Sequence, residues 1–298
     1  MGTVLTLVVL AAGMGSRYGG LKQVDPVGPH AEILLEYSVY DALAAGFERI
    51  VCVIRRDLEE AFEEHIGSRL RGKIPLDYAY QELTDVPEGC SPDPGRSKPW
   101  GTGQAIWATR ELVKGPFLAI NADDYYGPRS YQLLSEHLQK SNGYAMAGFR
   151  LANTLSEFGS VSRGLCQTDE QNHLLRVVEH TKIEPTPTGA VSQEAEGGPQ
   201  ALTGEEVVSM NFWGLQPSIF QELESQFRIF LNSNPGAKGE LYIPSVLDRI
   251  IREGRGRVQV LTSPESWFGV TYPDDKPRVV EEVRKRIAAG QYPEQLWK

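Results

Sequence analysis

Residues 9–25 read VLAAGMGSRYGGLKQVD, and this stretch decides how the chain is interpreted. The apolar run before it predicts a buried strand that ends in a turn of small residues. Gly13 and Gly15 have no Cβ, so the backbone N–H groups of this turn can approach an anion closely. Arg17 adds a planar fork of donors, and Lys22 adds a mobile positive charge. The stretch therefore predicts a cradle for a polyphosphate beyond the carboxyl end of a strand.

The glycine spacing separates this loop from two common phosphate-binding motifs. A dinucleotide-binding loop needs a third glycine that opens a helix, and a Walker loop needs Gly-Lys-Ser or Gly-Lys-Thr. The sequence of the loop fits neither pattern. A glycine-rich turn whose charges are merely solvated is the alternative, but Arg17 and Lys22 on one loop favour the phosphate cradle.

The composition is typical of an ordinary globular protein. Its 298 residues include 41% hydrophobic and 23% charged residues, enough to bury a large core. A net charge of −9 argues against bulk nucleic-acid binding, although a local cradle can still bind an anion. Three cysteines without a Cys-x-x-Cys pattern predict neither a disulfide framework nor a zinc site. The sequence shows no apolar stretch long enough to span a bilayer, so we expect a cytoplasmic protein without membrane partners.

Strand and helix patterns alternate along the first half of the chain. Apolar runs predict strands at residues 4–10, 49–54, 76–81, 117–121 and 144–149. Helical spacing occurs between them, at residues 33–45, 57–70, 103–112 and 131–139. This rhythm predicts a parallel three-layer α/β sheet with functional loops at the carboxyl ends of its strands.

The second half mixes its elements. We predict strands at residues 174–179, 207–215 and 257–261, and helices at 218–226, 241–252 and 276–289. Residues 83–99 and 184–200 are rich in Pro, Gly, Ser and Glu, and we predict that both are long surface loops.

Two acidic residues follow the predicted strand at 117–121. A carboxylate at such a strand end is a natural ligand for Mg²⁺, a hard cation that prefers oxygen. Asp123 and Asp124 are the candidate ligands. The alternative is an Asx turn or a helix N-cap before Pro128.

The run LAAGMGSR at residues 10–17, followed by Lys22, resembles the signature of sugar-1-phosphate nucleotidyltransferases, also called nucleotide-sugar pyrophosphorylases. The broader group of MobA-like NTP transferase domains shares this signature, and the resemblance continues to about residue 275. It implies a Rossmann-like, GT-A-like three-layer α/β/α fold with a mixed, mainly parallel sheet. We expect a single domain over 1–298, with a nucleotide-binding half at 1–150, an acceptor half at 151–275 and a C-terminal helix and tail at 276–298.

The resemblance also implies roles for individual residues. Arg17 would stabilise the leaving pyrophosphate, Lys22 would neutralise charge near the α-phosphate, and Asp123 would hold Mg²⁺. Gln81 matches a glutamine that reads the base edge, which favours UTP or dTTP, although the stretch between Gln81 and Gly101 is unusually long here. The implied nucleotide contacts are Leu10, Ala11, Ala12, Gly13, Gly15, Gln81, Gly101 and Thr102.

Three further segments resemble the acceptor side of the family. They are FGSV at 158–161, VVEHTK at 177–182 and MNFWG at 210–214. The residues implied to face the sugar or its phosphate are Gly159, Glu179, Lys182 and Asn211. Solvated charges or core aromatic residues are the alternative for these segments.

One family feature is missing. WFGVT at 267–271 aligns with a run whose third residue is an aspartate that binds the metal, and Gly269 stands there instead. Either Asp274 or Asp275 replaces this ligand, or the metal relies on Asp123, water and substrate phosphates.

The implied reaction is Mg²⁺-assisted nucleotidyl transfer, in which an NTP and a sugar 1-phosphate give an NDP-sugar and pyrophosphate. The acceptor phosphate would attack the α-phosphate in line with the leaving group. Two alternatives stay open. One is a non-sugar phosphate or phosphonate acceptor, and the other is a regulatory homologue that binds nucleotide without turnover, motivated by Gly269. The expected partners are the two substrates, and a homo-oligomer is compatible with the sequence.

Overall fold

The computed structural model describes residues 4–13, 25–92, 94–156, 159–195, 198–269 and 275–297. The strands are β1 (Thr6–Leu10), β2 (Arg49–Ile54), β3 (Leu76–Tyr80), β4 (Phe117–Asn121), β5 (Asp124–Tyr125), β6 (Tyr144–Arg150), β7 (Val161–Thr168), β8 (Leu174–Thr186), β9 (Gly189–Ser192), β10 (Gln200–Leu202), β11 (Val207–Leu215), β12 (Val258–Ser263) and β13 (Phe268–Gly269). The helices are α1 (Leu34–Ala44), α2 (Glu59–Phe62), α3 (Ser68–Leu70), α4 (Thr102–Trp107), α5 (Pro128–Lys140), α6 (Ile219–Asn232), α7 (Ile243–Arg252) and α8 (Lys276–Ala288).

Eleven strands of the described chain form one mixed sheet. Strands β3, β2, β1 and β4 are parallel neighbours in that order, so their carboxyl ends meet at one edge. Strand β11 lies antiparallel to β4 and joins this parallel part to β6 and β7. Leu7, Val8 and Val9 of β1 are fully buried, as expected for a central strand that is covered on both faces.

Apolar helices cover both faces of the sheet and complete the three layers. Leu35 of α1 and Leu134 of α5 belong to the core on one face. Ile106 of α4, Phe227 of α6 and Leu247 of α7 belong to the core on the other. This arrangement confirms the predicted three-layer α/β fold with a mixed sheet.

The prediction of a surface loop at 184–200 was wrong for much of that range. Strand β8 continues to Thr186, β9 follows as its antiparallel partner, and β10 pairs with β9. Strand β7 was also not predicted. These strands lie toward one edge of the sheet. Ala190 of β9 and Leu202 of β10 reach the core, but most of the other residues of β9 and β10 are half-buried or exposed, so the polar and proline-rich sequence of this region resembles that of a loop. The described part of 83–99 contains no helix or strand, as predicted.

The C-terminal tail packs beside the short sheet formed by β5 and β13. The rings of Tyr125 in β5 and Phe268 in β13 stack with centroids 4.4 Å apart. Tyr292 of the tail contacts the ring of Tyr37 in α1 edge-on, at 5.0 Å. Within the described residues, no helix combines the length and the apolar character needed to cross a membrane.

Candidate active site

The carboxyl ends of β1 and β4 lie side by side, because these parallel strands pair Leu10 with Asn121. Ala11 and Ala12 follow β1 and are buried. Gly13 is exposed, and a Cβ added to it would meet no atom of the described residues within 4 Å. The predicted phosphate loop therefore begins at the sheet edge where β4 also ends. Its remaining predicted residues, Gly15, Arg17 and Lys22, lie outside the described residues.

Asp124 is a buried carboxylate just beyond the end of β4, with 8% of its surface exposed. The amide nitrogen of Asn121 donates to its Oδ2 over 2.8 Å, and the hydroxyl of Tyr126 donates to the same oxygen over 3.1 Å. Burial raises the pKa of Tyr126 well above its ordinary value, so the hydroxyl stays protonated and keeps donating. The two donors fix the orientation of Asp124, and the neighbouring Asp123 is partly exposed.

Gly269, which replaces the acid of the family pattern, lies directly opposite Asp124 in the pairing of β13 with β5. A Cβ built on Gly269 would lie 2.4 Å from Oδ1 of Asp124 and 3.0 Å from the carbonyl oxygen of Asp123. The Asp124 carboxylate thus fills the space that a side chain at position 269 would need. Of the two replacements considered from sequence, Asp275 is the N-cap residue of α8, and Asp274 lies outside the described residues.

Asn211 reaches the end of β4 through a bulge in β11. From Ser209 to Trp213, β11 advances four residues while β6 advances only two, from Gly148 to Met146. Within this bulge Asn211 has a φ of 59°, in the left-handed region that asparagine tolerates better than most residues. Its amide nitrogen donates to Oδ1 of Asn121 over 2.6 Å, and its own oxygen accepts from the buried indole of Trp213 over 2.9 Å.

The hydrogen bonds of Asn211, Asn121 and Asp124 therefore connect β11 with the acidic pair, which consists of Asp123 and Asp124. A residue predicted to border the acceptor and a residue beside the predicted metal ligand belong to one polar network. The structure brings these two parts of the predicted site together.

Gln81 follows β3, and its amide nitrogen is already engaged. It donates to the carbonyl of Gly101 over 2.9 Å and to Oε1 of Gln104 over 3.0 Å. Both amide hydrogens are then used, which leaves Oε1 as the group that can meet a ligand. Gln81 can therefore meet a base edge with its oxygen as hydrogen-bond acceptor and without a free donor.

Gly101 and Thr102 hold the start of α4 against the segment before α7. Gly101 has a φ of 98°, and a Cβ there would lie 2.7 Å from the carbonyl oxygen of Leu241. The hydroxyl of Thr102 accepts a hydrogen bond from the N–H of Ile243 over 3.0 Å. Both residues thus have a packing role in addition to the nucleotide contact predicted for them.

Of the predicted acceptor residues on β8, Glu179 and Lys182 have different surroundings. Desolvation raises the pKa of Glu179, and the nearby positive charges of Arg163 and His180 oppose that rise. Lys182 has a left-handed φ of 49°, and its ammonium group is exposed and forms an ion pair with Glu194. The structure therefore places the Lys182 ammonium against another acid at the surface. Gly159 is exposed as well.

Arg163 of β7 was not singled out from the sequence. Its Nε donates to the hydroxyl of Thr154 over 3.1 Å, and its terminal nitrogens donate to the carbonyls of Thr154 and Ser162. Desolvation by burial lowers its pKa to about 10, although the charges of Asp124 and Glu179 act in the opposite direction. A cation beside Gly164 within a strand could have marked Arg163 as a candidate site residue. It was not recognised because β7 itself was not predicted.

The donor set at the end of β4 fits a hard cation. Among the described residues no group of three or more His, Cys, Asp or Glu side chains could hold a metal ion by itself. Asp123 and the carboxylate that fills the space beside Gly269 supply two oxygen donors. Mg²⁺ commonly keeps several waters and takes further ligands from phosphates, so two carboxylates are compatible with it.

Comparison with known proteins shows which family and which folds this chain resembles. Residues 6–281 match the sequence model of a family described as nucleotidyl transferase. A search of curated proteins gave no match. The structure of the inositol-1-phosphate CTP transferase from T. maritima is similar at a TM-score of 0.66 and 13% identity, covering 96% of this chain and 97% of that one. A UDP-glucose pyrophosphorylase complexed with UDP-glucose is similar at a TM-score of 0.61 and 18% identity, covering 95% and 99%.

The two structural likenesses support the fold, and the family match extends from β1 into α8. The matched range includes the start of the predicted phosphate loop, Asp123 and Asp124, and the β11 bulge. The chain therefore belongs to the nucleotidyl transferase family and is a nucleotidyltransferase.

Proposed function

We propose that this enzyme condenses an NTP with a sugar 1-phosphate and releases pyrophosphate. The observation that carries the proposal is the neighbouring position of Leu10 and Asn121, which puts the start of the phosphate loop beside Asp123 and Asp124. In this proposal residues 1–150 bind the nucleotide and residues 151–275 bind the acceptor, within one domain. The UDP-glucose pyrophosphorylase among the similar structures supports this substrate class.

The reaction requires charge neutralisation more than proton transfer. A phosphate monoester oxygen is already an anionic nucleophile, and it attacks the α-phosphorus as the bond to pyrophosphate breaks. Arg17 neutralises the leaving pyrophosphate, and Lys22 neutralises charge near the α-phosphate. Asp123 and Asp124 would hold Mg²⁺, which supplies further charge neutralisation when it is bound. Positioning by the network of Asn211 supplies the in-line geometry.

In this proposal Gln81 recognises the base with a hydrogen-bond acceptor, its side-chain oxygen. Because both amide hydrogens of Gln81 are used by Gly101 and Gln104, Oε1 must receive a donor from the base. Uracil and thymine offer the N3–H group, so UTP and dTTP remain the favoured substrates. Cytosine and adenine offer an amino group and guanine offers N1–H to the same oxygen, so this contact by itself also admits CTP, ATP and GTP.

A second candidate function keeps the chemistry and changes the acceptor. The inositol-1-phosphate CTP transferase covers nearly the whole chain, and its named acceptor is the phosphate of a cyclitol rather than a sugar. A non-sugar alcohol phosphate or a phosphonate therefore stands as the alternative acceptor. A regulatory homologue without turnover is less well supported, since Asp124 fills the space beside Gly269.

The test is release of pyrophosphate from each of the four NTPs with Mg²⁺ and a panel of sugar 1-phosphates that also contains inositol 1-phosphate. Asp123→Asn should lower kcat by about 100-fold or more, because it removes charge from the proposed metal site. Asp57→Asn, at an exposed position outside the site, is the matched control and should keep wild-type activity. Near-normal turnover in Asp123→Asn, or silence of the wild type across the panel, would contradict the proposal.

A further inference from the structure

Arg163 is a desolvated cation whose hydrogen-bond partners are all neutral. Its three observed acceptors are the hydroxyl and carbonyl of Thr154 and the carbonyl of Ser162. Among the described residues no carboxylate lies within ion-pair distance of its guanidinium. A guanidinium has five N–H donors, so these bonds position the group while leaving two donors and the full positive charge available. Asp124 and Glu179 act on this partly buried charge but form no ion pair with it, so an anionic ligand in direct contact would compensate its desolvation further.

The position of this cation links it to the acidic pair. The guanidinium of Arg163 lies over the ring of Trp267, 4.8 Å from its centroid. Trp267 lies two residues before Gly269, and a Cβ at Gly269 would be 3.2 Å from Cζ2 of this indole and 2.4 Å from Oδ1 of Asp124. Guanidinium, indole and carboxylate therefore form one continuous wall beside the end of β4.

A second unpartnered donor lies on the same wall. The indole nitrogen of Trp267 is buried and has no hydrogen-bond partner among the described residues. Buried polar groups of native proteins are nearly always hydrogen-bonded, so an orphaned donor beside a desolvated cation indicates an absent acceptor. A phosphate carries oxygens that can serve both groups.

Lys182, the cation predicted from sequence to bind the acceptor phosphate, has the opposite surroundings. Its side chain is 60% exposed, and its charge is already matched by Glu194. An exposed, neutralised ammonium adds little to the binding of a dianion. Arg163 is desolvated and has no ion pair among the described residues, so it is the stronger phosphate ligand of the two.

We propose that Arg163, rather than Lys182, binds the phosphate of the acceptor substrate. The inference rests on the proposed function in that the acceptor is taken to be a phosphate monoester. Bound there, the phosphate would lie on the same wall as Asp124, on the acceptor side of the site. Arg163 then sets the affinity for the acceptor and leaves that for the NTP unaffected.

The test compares Arg163→Gln and Arg163→Lys with Lys182→Gln as the matched control, in the full-length enzyme. Arg163→Gln should raise the KM for the acceptor about 10- to 100-fold, the loss expected when a hydrogen bond to a charged group is removed. The KM for the NTP should stay within about twofold, as expected when a contact to one substrate alone is lost. Arg163→Lys should recover part of the acceptor affinity because it keeps the charge. Lys182→Gln should leave both constants near wild type.

Binding of inorganic phosphate, measured by calorimetry with saturating NTP already bound to the phosphate loop and no acceptor substrate present, provides a readout that does not need turnover. Wild type should bind phosphate, and Arg163→Gln should lose that binding while Lys182→Gln keeps it. Equal rises of both KM values in the two Arg163 variants would show a purely structural role and overturn the inference, as would phosphate binding that survives in Arg163→Gln. The two proposals can fail separately. If the wild type turns over no acceptor substrate, but phosphate binds to the wild type and not to Arg163→Gln, the proposed function fails and this inference stands.

Discussion

Two features of the structure disfavour a side chain at Gly101: its backbone conformation and the closeness of a neighbouring backbone atom. Its φ of 98° is strained for any residue with a Cβ, and the carbonyl oxygen of Leu241 lies 2.7 Å from where that Cβ would be. We therefore expect Gly101→Ala to lower the free energy of unfolding by about 2–4 kcal/mol. Urea unfolding at neutral pH measures this loss.

Gly72 separates the two causes. It has a φ of 79°, but a Cβ added there would meet no described atom within 4 Å, so Gly72→Ala carries the conformational cost alone, about 1 kcal/mol. The difference between the two variants then reports the crowding against Leu241. Equal losses in both would mean that the segment before α7 moves aside without cost.

At the scale of single residues, the sequence predicted which residues lie at the ends of strands better than it predicted which residues contact them. Asp123 and Asp124 lie at the end of a strand, as the apolar run before them predicts. That Asp124 fills the space beside Gly269 depends on the pairing of β5 with β13, two strands of two residues each. Such short strands leave no periodic pattern, so the contact could not be predicted.

The bulge of β11 gives a prediction at the scale of an element. Asn211 bridges Asn121 and the buried indole of Trp213 from a left-handed conformation. Asn211→Gly should lower the free energy of unfolding by about 1–3 kcal/mol, because it leaves a buried donor without an acceptor. Asn211→Ala should lose about 1 kcal/mol more, because alanine tolerates the left-handed region poorly. Urea unfolding of both variants gives the two values.

Asn172 is the control for this comparison. It has a φ of 60° in an exposed turn, so its Ala and Gly variants report the conformational cost without the hydrogen bonds of the bulge. The gap between Ala and Gly should be similar at both positions. An alanine variant at 211 that is as stable as the glycine variant would show that the bulge can return to regular pairing.

Strands with a continuous apolar sequence were predictable, and β7, β9 and β10, which lack one, were not. The predicted limits of β2, β4 and β11 agree with the structure residue by residue. These strands are held by burial, which leaves an apolar pattern in the sequence. Strands β9 and β10 contribute only Ala190 and Leu202 to the apolar core, and their pairing depends on how the hairpin closes rather than on composition.

At the scale of the whole molecule, a chain of hydrogen bonds connects the C-terminal tail with the site. Tyr292 donates to the carboxylate of Asp41 in α1 over 2.8 Å, and the hydroxyls of Tyr292 and Tyr125 are 2.8 Å apart. Gln291 donates to Tyr125 over 2.7 Å. Tyr125 follows Asp124 in β5, so docking of the tail supports the strand that carries the acidic residue.

The hydrogen-bonded chain contains Asp41, and the titration of this carboxyl predicts how the free energy of unfolding depends on pH. Desolvation by burial raises the pKa of Asp41 from its ordinary 3.8 to about 8, with the charge of Glu265 adding to the rise and Tyr292 and Arg286 opposing it. Between these pH values the folded state binds more protons than the unfolded state, so stability present below about pH 4 is lost as the pH rises through 8. We expect the free energy of unfolding to fall by about 1–3 kcal/mol from pH 5 to pH 8 on this account.

Asp41→Asn should flatten that fall, since an amide keeps a polar partner for Tyr292 and does not titrate. Urea unfolding at intervals from pH 5 to pH 9 measures the slope. Asp57→Asn is the control, because a hydrogen bond from Arg55 lowers the pKa of that exposed carboxyl and its titration lies below this window. The wild-type slope should therefore persist in Asp57→Asn. If it also persists in Asp41→Asn, the slope comes from another titrating group, and the proposal that Asp41 is protonated in the folded state below pH 8 fails.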